Sequence, residues 1–136
     1  MLEALVMTPD RSGQTVTTGG AGIRETFEKL GLKVSVYHSF DIAVEYLSVR
    51  QVDVVFIDCS MLPTSRPDLI QKLSQAVKTK KCTLIFLATP EERGRMRGSL
   101  PFHDAEVVIK PFSTEAVSKA LVKLRPGEFR PYRKAN

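Results

Sequence analysis

Residues 52–61 read VDVVFIDCSM. From Val52 to Ile57 only Asp53 is polar, and three of the remaining five residues are valine. A β-branched, continuously apolar run of this length reads as a strand buried on both faces, the kind found in parallel sheets rather than in half-solvated antiparallel ones. The run then stops on a carboxylate, Asp58, followed by Cys59, Ser60 and Met61.

Working outward, four more short apolar runs appear: Leu2 to Met7, Val34 to Tyr37, Thr83 to Leu87 (TLIFL) and Glu106 to Ile109. Helical patterns separate them. Ile23, Phe27 and Leu30 share a stripe, and Ile42, Ala43, Tyr46, Leu47 and Val49 form an apolar face behind the candidate cap Ser39. Leu69, Ile70, Leu73 and Val77 recur at helical spacing after Pro67, a residue suited to a first turn. Ala116, Val117, Ala120, Leu121 and Leu124 repeat the pattern after Ser113 or Thr114. A fourth helix around Glu91 to Met96 is interrupted by Gly94 and Gly98. Strands alternating with helices predict βαβ crossovers, hence an α/β fold with a doubly wound, five-stranded parallel sheet in a three-layer sandwich. Ligands of such sheets sit outside the carboxyl ends of the strands, where the strand order reverses. Those ends carry Thr8, Pro9 and Asp10, then Asp58, then Ala88 and Thr89, then Lys110.

The 136 residues suffice for one domain, over 1–124, followed by a basic tail or linker over 125–136. No apolar run reaches the roughly 18 residues of a membrane span, and the polar N-terminus does not read as a secretory signal, so a cytoplasmic location is expected. Cys59 and Cys82 make no disulfide framework and read as buried free thiols, although a single bridge stays open. The net charge of +5 allows an acidic partner or a nucleotide and equally well serves solubility.

VDVVFIDCSM resembles the third strand of response-regulator receiver domains, the chemotaxis type included, which ends in the phosphate-accepting aspartate. VVIKPFS (107–113) resembles their fifth strand with its lysine–proline pair. Asp58 then takes the acceptor position and Lys110 with Pro111 the lysine position, 110 − 58 = 52 residues apart, as in that family. The resemblance covers nearly the whole chain and implies a (βα)5, flavodoxin-like fold. It also implies a chemistry: the aspartate attacks a phosphoryl group, two acids after the first strand hold Mg²⁺, a Thr or Ser after the fourth strand bonds the new phosphate, and the lysine pairs with it.

This sequence departs from that pattern where the chemistry needs it. Thr8 and Pro9 stand at the acidic pair, and Asp10 follows one place late. Ala88 stands at the Thr/Ser position, with Thr89 adjacent, and Val107 replaces the aromatic switch residue. A degenerate pseudo-receiver is therefore expected, in which Asp58 pairs with Lys110 and Mg²⁺ has only Asp58 and Asp10 to hold it. Its partners would be signalling proteins: a histidine kinase, an effector, a fused output domain or a second copy in a homodimer.

A second reading is a sensor of the second messenger cyclic di-GMP. Arg93, Arg95 and Arg97 cluster near the fourth helix, and Arg125, Arg130, Tyr132 and Arg133 lie in the tail, where arginine and an aromatic can stack on a base. A third is an ordinary aspartate phospho-acceptor of a two-component system. A glycine-rich run, Gly19, Gly20 and Gly22, opens the first helix without the ending of a phosphate-binding loop. No general base is evident, so an enzyme is not expected, and no helix-turn-helix segment suggests DNA binding.

Overall fold

The computed structural model describes residues 2–9, 22–96 and 105–129. Among these residues, five strands and five α-helices alternate: β1 (Glu3–Met7), α1 (Ile23–Glu28), β2 (Lys33–Tyr37), α2 (Phe40–Val49), β3 (Val54–Asp58), α3 (Pro67–Lys80), β4 (Thr83–Ala88), α4 (Pro90–Met96), β5 (Glu106–Ile109) and α5 (Thr114–Leu124). All strand pairs are parallel, in the order β2-β1-β3-β4-β5. The order therefore reverses between β1 and β3, which places the switch point beside Asp58.

Side-chain alternation divides the core into two layers. Ala4, Val6, Val54, Phe56, Ile85, Leu87 and Val108 face α1 and α5 through Phe27, Val117 and Leu121. Leu5, Met7, Val55, Ile57, Leu84 and Phe86 face α2 and α3 through Phe40, Val44, Leu47 and Leu73. Both faces of β3 are thus covered, and all five of its residues are buried, as its unbroken apolar run requires.

Helix starts follow local chemistry. Ser39 and Ser113 accept hydrogen bonds from the backbone N–H of Ile42 and Ala116 and cap α2 and α5, while Pro67 occupies the first turn of α3. The apolar face expected for α2 needs correction. Its packing stripe is Phe40, Ala43, Val44 and Leu47, at spacings of three and four, and this turns Ile42 and Val49 outward to 55% and 75% exposure. The third strand is also displaced: it starts at Val54 and takes in Asp58, which pairs with Leu87, and β4 likewise ends on Ala88.

Arg125, placed by sequence in the tail, folds back onto the amino-terminal end of the sheet. Its guanidinium donates to the Asp53 carbonyl at 3.3 Å, to Thr83 Oγ1 at 3.1 Å and to Glu128 at 3.2 Å. Cys59 and Cys82 are half-buried free thiols at opposite ends of the sheet, which closes the option of a bridge between them. Among the described residues no helix is long and apolar enough to cross a membrane.

Candidate functional site

The carboxyl end of β3 presents Asp58 with only 1% of its surface exposed. Its Oδ1 accepts three hydrogen bonds: from Ser60 N at 2.9 Å, from Ser60 Oγ at 2.8 Å and from Lys110 Nζ at 2.8 Å. The first two arise because the chain leaves β3 in a 3-10 turn, Cys59–Met61, which Asp58 caps with its own side chain. The third crosses from the end of β5. Lys110 N donates to the Ala88 carbonyl at 2.8 Å, the following peptide bond to Pro111 is cis, and Phe112 is buried at 1% exposure beneath it.

Lys110 has a second anionic partner. Glu92 Oε1 lies 3.2 Å from Nζ, and the side chains of lysine and glutamate are 12% and 15% exposed. Glu92 is held there by Thr89. Thr89 N donates to Glu92 Oε1 at 2.8 Å and Glu92 N donates to Thr89 Oγ1 at 3.1 Å. This is a reciprocal capping box at the start of α4, with Pro90 at the first helical position. Burial by itself pushes the Lys110 ammonium down. The carboxylates of Asp58 and then Glu92 outweigh burial, and the net displacement is upward, so the lysine is charged throughout the physiological range.

The other positions of the resemblance are now placed. Thr8 is fully buried at the end of β1 and Pro9 is exposed. Ala88 is fully buried at the end of β4, and Thr89 is turned to its capping role. Val107 is half-buried on β5 opposite Phe86. Arg93 and Arg95 are exposed on α4, at the Asp58 end of the sheet, whereas Arg125 lies at the other end. Among the described arginines, Arg93 and Arg95 are therefore not brought together with Arg125. Asp10, Arg97, Arg130, Tyr132 and Arg133 lie outside the described residues, as do Gly19 and Gly20.

The sequence reading passed over Glu92 and Ser60. TPEE (89–92) carried the signal for Glu92, since Thr-x-x-Glu with proline second is the pattern of a capping box. Nothing in the sequence joined that cap to Lys110, eighteen positions on (110 − 92 = 18).

The resemblance implies Mg²⁺ held by Asp58 and Asp10; Asp10 lies outside the described residues, and Asp58 is paired with Lys110. The place of the acidic pair is taken by a threonine and a proline. The Glu92 carboxylate is occupied by Lys110 and Thr89 N–H.

Cys59 borders this site, against Met96, in a cleft of about 310 Å³ that Ser60, Leu62, Thr64, Glu92 and Arg95 also line. Burial, then the charges of Glu92 and Asp58, push its thiol up to about 12, with Lys110 opposing them. The reactive thiolate is therefore scarce at neutral pH. Alkylation by iodoacetamide at pH 7.5 should run at least roughly a hundredfold slower at Cys59 than in the urea-unfolded chain. Peptide mass spectrometry over time measures this, and equal rates would contradict the assigned surroundings.

No protein-family model and no curated protein sequence matches the chain. Solved structures do. The chain is similar to a response regulator receiver domain (CheY-like) from Methylobacillus flagellatus, with a TM-score of 0.72 at 18% identity over 92% of this chain and 99% of that one. A two-component response regulator from Clostridium difficile gives 0.68 at 14% identity, over 94% and 99%. The receiver domain of the sensor histidine kinase PA1611 from Pseudomonas aeruginosa PAO1, solved with a magnesium ion in its active-site cleft, gives 0.62 at 16%, over 90% and 95%. The chain has the CheY-like receiver fold, the flavodoxin-like α/β arrangement on which those signalling domains are built.

Proposed function

We propose that this chain is a receiver-fold signalling module that acts through protein–protein contact, without Mg²⁺-dependent phosphorylation of Asp58. One observation carries the reading: Lys110 Nζ lies between Asp58 Oδ1, at 2.8 Å, and Glu92 Oε1, at 3.2 Å. A charge that would otherwise pair with a phosphoryl group already has the buried Asp58 and the partly buried Glu92 carboxylates as counter-ions, so Asp58 serves as a structural anion. Thr8 and Ala88 agree with this, because neither supplies the carboxylate or the hydroxyl that phosphoryl transfer needs there. The module is non-enzymatic, and we place it in the cytoplasm. Its partner is a histidine kinase, an effector or an output domain joined to it.

The test is calorimetric. The protein is titrated with Mg²⁺ plus beryllofluoride, which mimics a phosphorylated aspartate, beside Asp58→Asn. No saturable heat is expected from either. Saturable binding that disappears in Asp58→Asn would overturn the reading in favour of a phospho-acceptor. Cyclic di-GMP is titrated next, and saturable binding there would favour a second-messenger sensor.

A further inference from the structure

α4 is poorly anchored by its own residues. Among its described residues, Pro90–Met96, none is buried and Met96 packs partly against the core. Gly94 lies within it and lowers its helical preference further. What fixes its start is polar. Thr89 and Glu92 close the capping box, and the same Glu92 oxygen that accepts from Thr89 N reaches Lys110. Because the cap already orders the Glu92 side chain, pairing with Lys110 loses little further rotamer freedom. The ammonium is in turn held by Asp58 at the end of β3.

We propose that Glu92 is a built-in counter-anion that couples the Asp58 pocket to α4 permanently, holding the start of that helix in one position with no phosphoryl group required. Three carboxyl-end segments are thereby joined through one ammonium: β3 by Asp58, the β4–α4 junction by Glu92 and β5 by Lys110. An anion on Asp58 would compete with Glu92 for the lysine. In its absence Glu92 has no rival, and the α4 surface offered to a partner is constant. The inference rests on the preceding reading only in taking Asp58 as unmodified.

The test separates the cap from the ion pair, because glutamine satisfies a capping box as glutamate does but carries no charge. Amide solvent exchange is measured by NMR on the whole chain for wild type, Glu92→Gln, Lys110→Met and the double variant. Amides of Arg93 to Met96 should exchange roughly fivefold faster in each single variant, with no further gain in the double variant, and those of α2 and α3 should keep their rates. Wild-type rates in Glu92→Gln would reduce Glu92 to a cap and overturn the proposal, and so would effects that add in the double variant. If one single variant fails to fold, the other decides alone. Beryllofluoride binding by the wild type would refute the preceding section and leave this result to stand or fall by itself.

Discussion

Phe27→Ala should destabilise the domain by about 4 kcal/mol, the largest loss expected from any single truncation here. Phe27 is fully buried on α1 and stacks at a centroid distance of 4.4 Å on Phe56 of β3 and at 5.7 Å on Phe112 after β5. Its removal forfeits its own transfer from water, two ring contacts and the closure of a cavity between a short helix and the sheet. The six residues of α1 leave little helix to collapse into the space. Phe112 adds a functional consequence, because it anchors the turn directly behind Lys110 and Pro111. Urea unfolding followed by circular dichroism measures the loss. A value under roughly 2 kcal/mol would show that the site collapses, contrary to the tight aromatic packing. Lys110 should also lose order in the folded variant, visible as broadened NMR signals for residues near it.

How far the fold could be read from sequence follows from which forces are local. Continuous apolar runs marked the buried strands β1, β3 and β4 because a parallel sheet covers both faces, and β5, a partly buried edge strand, was also read to its limits. Ser39, Pro67 and Ser113 marked helix starts because capping depends on a few adjacent residues. Ile42 and Val49 were misread because an apolar residue at helical spacing does not reveal which of two overlapping stripes meets the sheet; that choice belongs to β1, β3 and α3. The Asp58–Lys110 pair was legible only through resemblance, since no local rule joins residues 52 positions apart (110 − 58 = 52). Glu92 was half legible: its cap was written in TPEE, and its partner was not. Arg125 shows the same limit. A guanidinium after the last helix looks like the start of a tail until the ends of β3 and β4 are seen to supply acceptors.

Asp58→Ala should cost about 3 kcal/mol, the second-largest loss. The substitution removes the acceptor of three hydrogen bonds and leaves a lysine with a 12% exposed side chain beside Glu92 alone. Breaking a buried pair from one side costs more than the pair contributes, because the remaining charge stays desolvated. Glu92 limits the loss by keeping one counter-ion at 3.2 Å. Lys110 titrates higher in the folded protein than in the unfolded chain, so its pairing contributes fully below the ordinary lysine value and fades only as pH rises through the higher, folded value. The difference between wild type and Asp58→Ala should therefore stay constant from about pH 7 to 9 and narrow only in strong alkali, beyond about 10.5. Added salt should change it little, because the pair is buried. Urea unfolding at several pH values makes the comparison. If Asp58→Ala were as stable as wild type, or more stable, Asp58 would be a strained acid kept for chemistry, and a phosphoryl-accepting pocket would then explain it better than a structural anion.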